Sequence, residues 1–216
     1  MTDGIRLKIC GLTSLDDAGF AAHAGADYLG FILIPESPRY LPLEKFAAFA
    51  AHLPAGRKVA VSVEPNVTQL AAMSAAGFDY FQIHFRHDVP ASTVASWAQT
   101  VGAERLWLAP KLPPGISVPE AVLPLAKFFL FDTYHVRKFG GTGETSDWAK
   151  FARHRRAHPK KTWILSGGLS PGNINTALRQ SGARFVDVNS GVESAPGVKD
   201  HAKLQLLVDR LHDRRT

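Results

Sequence analysis

Along this chain, short apolar runs alternate with longer segments in which apolar residues recur every three or four positions. The short runs predict strands over residues 7–10, 28–33, 58–63, 80–84, 105–109, 128–132, 162–166 and 185–189. Between them the helical period begins near Leu15, Leu43, Val67, Ser92, Val118, Ser146, Pro171 and Lys199. A strand–helix unit repeated eight times predicts a parallel sheet, because each helix must carry the chain back before the next strand starts.

Punctuation supports the repeat. AGADYLGF around Gly25, AGFDYFQI around Gly77 and SGARFVDV around Gly182 each put a glycine where a helix ends just ahead of a strand. Glycine takes the left-handed C-cap conformation without steric penalty. Eight units in 216 residues predict one parallel eight-stranded (β/α)8 barrel, of the TIM type, spanning residues 1–216. An open doubly wound sheet is the alternative, but it wants Gly-x-Gly-x-x-Gly after its first strand, where KICGLTSLDD offers only Gly11. Ser14 with Asp17 three residues on reads as a capping box at the start of the first helix.

Composition narrows the class. The chain is 45% hydrophobic and has one cysteine, so an internal disulfide is impossible. No basic-then-apolar leader opens it and no apolar run approaches the ~20 residues of a membrane span, so a soluble, cytoplasmic protein without a membrane partner is expected. A formal charge of +6 favours anionic partners. The basic residues gather in RHRRAHPKK (153–161) and at the C-terminus without interleaved aromatics, which reads as a solvated helical face rather than a nucleic-acid site.

In a barrel the chemistry lies at the C-terminal strand ends. Polar residues stand there in this chain: Cys10 on the first strand, His84 on the fourth, Asp132 on the sixth, Asp187 and Asn189 on the eighth, and Arg39 in the loop after the second. The two-residue period of a strand turns Lys8 and Cys10 toward the barrel interior and Leu7 and Ile9 toward the helices. The same alternation turns Asp187 and Asn189 inward and sets Asp132 on the face of Phe128 and Leu130. An ordinary thiol is only about 3% thiolate at pH 7, so Cys10 as a base needs a perturber, and Lys8 on the same face is expected to favour the thiolate.

Asp132 is followed by YHVRKFGGTGE, long for a strand–helix connection and rich in glycine, which reads as a cover or a phosphate-approaching backbone. Thr145 or Ser146 is the expected N-cap of the next helix. SGGLSPGN (166–173) and NSGVESAPGVKD (189–200) follow the last two strands, where such barrels commonly bind phosphate through backbone amides. His84 with His87 and His154 with His158 have ligand-like spacing but no third ligand, so no metal is expected, and the second pair is read as solvent-exposed.

These residues sit within motifs that resemble the phosphoribosylanthranilate isomerase family nearly end to end. The segments are KICGLT (8–13), GADYLGFI (25–32), SPRY (37–40), QIH (82–84), FDTY with KFGGTG (131–143), LSGGLSPGN (165–173) and VDVNSGVESAPGVKD (186–200). The resemblance implies an Amadori rearrangement in tryptophan biosynthesis, with Cys10 as general base, Asp132 as general acid and no cofactor. It further implies that Arg39 holds the anthranilate carboxylate, that His84 lines the pocket and that Asp187 binds ribose hydroxyls. Phosphate falls to Gly141, Gly143, Gly167, Gly168, Ser190 and Gly191. Barrels of this kind occur as monomers and homodimers, and either is expected here, with a phosphorylated small molecule as partner and no nucleic acid.

The chain departs from the family at Phe85, where glycine usually follows QIH, and the bulkier residue is expected to reshape the pocket edge. Two rivals remain at this stage. One is a histidine-pathway aminoaldose isomerase, which typically uses two aspartates where this chain has Cys10 first. The other is a noncatalytic RNA-binding barrel, which gives no reason for Cys10, Arg39, Asp132 and the phosphate loops to occur together.

Overall fold

A computed structural model describes residues 4–113, 115–132 and 147–212. Eight parallel strands close into a barrel: β1 (Arg6–Ile9), β2 (Tyr28–Ile32), β3 (Lys58–Val63), β4 (Tyr80–Arg86), β5 (Leu106–Lys111), β6 (Phe128–Phe131), β7 (Thr162–Leu165) and β8 (Phe185–Val188). Closure comes from β1 pairing with β8, which sets Lys8 beside Asp187. The helices are α1 (Leu15–Ala24), α2 (Leu43–Ala47), α3 (Val67–Ala75), α4 (Ala91–Val101), α5 (Trp148–Ala157), α6 (Ile174–Ser181) and α7 (His201–His212). A small antiparallel pair, β9 (Glu193–Ala195) and β10 (Val198–Lys199), follows β8. No helix among the described residues is long and apolar enough to cross a membrane.

Alternation along each strand builds two cores. Outward residues such as Leu7, Ile9, Val186 and Val188 join the helices in one continuous shell. Inward, Val59, Trp107, Phe128, Leu130, Ile164 and Phe185 form a plug closed by Tyr28 and Tyr80. Trp107 stacks on Phe128 at 5.2 Å and meets Phe185 edge-on at 5.4 Å. The Arg6 guanidinium lies 4.6 Å from the Phe185 ring centre. Each such ring pair adds about 0.5–1.5 kcal/mol beyond area burial. The plug fills one end of the barrel, and Lys8 and Asp187 take the next inward positions above Arg6 and Phe185 on their paired strands.

The expected elements differ from the observed ones in four places. The helix expected from Val118 is a 3-10 segment, Glu120–Leu125, because Pro124 lacks the N–H and crowds the carbonyl that an α-helix needs there. The N-cap of α5 is Asp147, whose carboxylate accepts from the Lys150 amide at 2.8 Å; Thr145 and Ser146 lie outside the described residues. The Ser14 box is half made: Ser14 accepts from the Asp17 amide, but Asp17 turns away, to the Lys199 amide at 3.0 Å and His201 Nε2 at 2.9 Å. His154 is buried rather than solvated, bonded through Nδ1 to the Lys150 carbonyl and packed between Phe131 and Trp163. The helix-end glycines hold, with Gly25, Gly77 and Gly182 all at positive φ.

Candidate active site

The base candidate sits where strand alternation put it. Cys10 follows the last residue of β1, buried beside Ile32 and Val61, and its amide donates to the Val188 carbonyl at 2.9 Å. One step below, Lys8 is fully enclosed and its Nζ donates to Asp187 Oδ1 at 2.9 Å. Room for both comes from Gly30 on β2: a Cβ there would stand 2.7 Å from Lys8 Cε and 2.9 Å from both Lys8 Nζ and Cys10 Sγ.

Lys8 favours the thiolate as expected, but burial outweighs it. Burial pushes the Cys10 thiol above its ordinary pKa; Lys8 pulls it back, but Asp187 adds to the rise. Burial alone would lower Lys8, yet the charges of Asp187 and Cys10 outweigh it and hold the ammonium above the ordinary lysine value. At neutral pH Lys8 is therefore charged and the Cys10 thiol neutral.

Asp132 follows Phe131 at the end of β6, half-buried, on the inward side set by Leu130. The glycine loop beyond it, with Gly140, Gly141 and Gly143, lies outside the described residues. His84 is buried on β4 and shares a 2.8 Å hydrogen bond with Gln82 through Nε2. Burial, reinforced by the Lys8 charge, lowers the ring to about 4, so it is neutral at physiological pH. Phe85 does not face the barrel interior: it is buried in the outer shell and meets Trp97 edge-on at 5.6 Å, so the departure at this position falls on the helix side of β4.

Arg39 is buried at the same end and is fully engaged on one edge. Its Nε donates to Glu193 Oε1 and Oε2 at 2.9 and 3.1 Å, and its Nη2 to Oε2 at 2.7 Å. Glu193 also takes Lys199 Nζ at 2.9 Å, and that ammonium reaches Asn189 Oδ1 at 3.0 Å. Burial would raise Glu193, but the bonds from Arg39 and the charge of Lys199 hold it below the usual carboxylate range. Burial is the leading cause that lowers Lys199.

The loops after β7 and β8 touch through their backbones. Gly191, in the 3-10 turn Ser190–Val192, leaves no space for a side chain, since a Cβ would fall 1.9 Å from the Leu169 carbonyl oxygen. Asn173 fastens the other loop, donating to the Gly168 carbonyl at 2.8 Å and accepting from the Ser170 amide at 2.9 Å. Gly167 and Gly168 both have positive φ, and among the described residues their amides take no backbone carbonyl. Successive backbone amides at such a glycine turn are a favourable place for an anion.

Three participants escaped the sequence reading. Gly30 carried a signal: glycine inside a strand marks a close approach. Glu193 and Lys199 carried none beyond lying in a glycine-rich segment, because their partner Arg39 comes from the far end of the chain. No group of three or more His, Cys, Asp or Glu among the described residues is arranged to hold a metal ion.

Comparison with known proteins agrees over nearly the whole chain. Residues 7–210 match the family model of N-(5'-phosphoribosyl)anthranilate (PRA) isomerase. The N-(5'-phosphoribosyl)anthranilate isomerase of Neisseria gonorrhoeae is 36% identical over 205 residues, covering 94% of this chain and 95% of that one. The phosphoribosyl anthranilate isomerase of Thermus thermophilus superposes with a TM-score of 0.82 at 30% identity, covering 98% of this chain and 100% of that one. A phosphoribosyl anthranilate isomerase solved with reduced 1-(o-carboxyphenylamino)-1-deoxyribulose 5-phosphate gives 0.74 at 29% identity, covering 96% and 98%.

Proposed function

The chain belongs to the N-(5'-phosphoribosyl)anthranilate isomerase family, and we propose that Cys10 and Asp132 are the base and acid with which it performs that family's reaction. It converts N-(5'-phosphoribosyl)anthranilate to 1-(2-carboxyphenylamino)-1-deoxyribulose 5-phosphate, a step of tryptophan biosynthesis. The observation that carries the assignment of roles is the placement of the one cysteine: its thiol faces the barrel interior among Lys8, Asp187 and Arg39 rather than the helix shell.

The reaction opens a ring and moves one hydrogen. Asp132 gives its proton to the furanose oxygen as the bond from that oxygen to C1 breaks, and the lone pair of the anthranilate nitrogen on C1 forms the iminium. The iminium acidifies the C2 hydrogen, and Cys10, as thiolate, removes it to give the enolamine. Protonation at C1 and loss of the C2 hydroxyl proton leave the ketone, so nothing is gained or lost overall. A positioned acid and a positioned base each contribute about 10²- to 10⁴-fold.

Binding follows the same reading. The outer edge of Arg39 pairs with the anthranilate carboxylate, and Asp187, whose Oδ1 takes Lys8, meets a ribose hydroxyl through its second oxygen. His84, neutral, lines the pocket. The phosphate lies on amides of Gly167, Gly168, Ser190 and Gly191; Gly141 and Gly143, which the family resemblance gives the same role, lie outside the described residues. We place the working protein in the cytoplasm as one catalytic domain, monomer or homodimer, with no nucleic-acid or membrane partner.

The test follows anthranilate-adduct fluorescence after freshly generated phosphoribosylanthranilate is added, with Asp132→Asn alongside. Rapid loss of signal in the parent and at least about a 100-fold lower kcat in the variant is the expected result. Near-normal turnover by Asp132→Asn would remove that residue from the role of acid.

A further inference from the structure

Glu193 has no part in the reaction above, yet it is enclosed against the very arginine that this reading gives to the substrate carboxylate. Burying a carboxylate beside the site of another carboxylate demands a reason. We infer that Glu193 is a positioning residue that sets specificity for the ring carboxylate: by occupying the Nε–Nη2 edge of Arg39, it fixes the guanidinium so that the remaining edge meets the substrate.

Geometry supports this on three counts. The fork is held at three points, 2.9, 3.1 and 2.7 Å, and the two side chains are only 10% and 5% exposed. The arginine stem is wedged as well, its Cδ 2.9 Å from where a Cβ on Gly11 would stand, next to Cys10. Glu193 Oε1 is held in turn by Lys199 Nζ at 2.9 Å and the Gly197 amide at 3.3 Å. A long side chain fixed in advance surrenders no rotamer freedom on binding.

The charge balance favours the same conclusion. Arg39 and Lys199 are two cations and Glu193 one carboxylate, so the cluster keeps one net positive charge for an incoming anion. Glutamine in its place would keep one acceptor oxygen and turn an NH2 donor toward the N–H donors of Arg39 or Lys199, so one of those donors would lose its acceptor. Because β9 begins at Glu193, directly after the Ser190–Val192 turn, the carboxylate also ties Arg39 to the loop proposed for phosphate.

The inference rests on Arg39 as the carboxylate ligand, and the experiment separates the two. Calorimetry measures binding of reduced 1-(2-carboxyphenylamino)-1-deoxyribulose 5-phosphate and of its counterpart lacking the ring carboxylate, to the parent, Glu193→Gln, Arg39→Met and the double variant. Glu193→Gln is expected to weaken the carboxylated ligand about tenfold and the other less than about twofold, and to add little once Arg39 is gone. Equal losses on both ligands, or full additivity with Arg39→Met, would overturn the inference and assign Glu193 to the phosphate loop. If Arg39→Met leaves the preference between the ligands unchanged, the Arg39 assignment fails and the inference falls with it. Should Glu193→Gln not fold, Glu193→Asp, which keeps the charge beside Lys199 but is too short for the fork, is expected to show the same selective loss, and a loss shared by both ligands overturns the inference again.

Discussion

Replacing Gly30 with alanine puts a methyl group into the space shared by Lys8 and Cys10. Ordinary contact begins near 3.4 Å, whereas the new carbon would lie 2.7 Å from Lys8 Cε and 2.9 Å from Lys8 Nζ and Cys10 Sγ. These neighbours must therefore yield by roughly 0.5 to 0.7 Å. Lys8 is not free to do so, because it is fully enclosed and its Nζ is spent on Asp187 at 2.9 Å. Overpacking of this kind costs about 1–3 kcal/mol of stability, and more if the buried pair parts. Displacing the base by a comparable fraction of an ångström should lower kcat by about tenfold to 10²-fold, given that a misplacement of about 1 Å can cost 10²-fold. Urea denaturation and the fluorescence assay read the two effects separately. Parent kcat together with stability within about 0.5 kcal/mol of the parent would refute the claim that this gap positions the base; a loss of stability alone would confine Gly30 to the packing of Lys8.

Cys10→Ala and Asp132→Asn should each lower kcat at least about 100-fold with circular dichroism unchanged, and a variant retaining more than a tenth of parent turnover would lose its role. Since burial raises the free Cys10 thiol, the thiolate fraction grows with pH throughout the neutral range, so kcat/KM and the rate of thiol alkylation should rise together between pH 6 and 9; flat profiles would contradict a neutral resting thiol. His84 titrates near 6.5 when unfolded and at about 4 when folded, so its contribution is full above pH 6.5 and lost as pH falls to 4, about 3 kcal/mol in all. Denaturation at a series of pH values should show that slope in the parent and not in His84→Gln.

Much of the fold was legible because its signals are local. Two-residue alternation and terminating glycines located all eight strands to within about two residues and told inward from outward faces, which brought Cys10, Asp132 and Asp187 to one end. The failures were local too: the apolar spacing after Val118 looks helical, but Pro124 decides the backbone, and the bulky Phe85 looked like a pocket residue until alternation placed it against Trp97. What sequence could not show is how the inward polar groups pair. Lys8 and Asp187 are 179 residues apart, and Arg39 and Glu193 are 154 apart, so no periodicity links them.

Those two pairs share one construction, and it locates the step that assembles the site. In each, an early segment delivers a buried cation next to a functional atom: Lys8 beneath the Cys10 thiol, Arg39 where the substrate carboxylate is proposed to lie. In each, the anion that fixes the cation comes from β8 or directly after it, Asp187 in one case and Glu193 in the other. Neither cation could be buried alone, because an unpaired charge in the barrel interior would cost several kcal/mol. Docking of β8 onto β1 therefore does more than close the sheet: it supplies both counter-charges at once. A chain ending before β8 would retain the acid, the base and the arginine, but neither Asp187 nor Glu193 to hold the base's neighbour and the arginine in place.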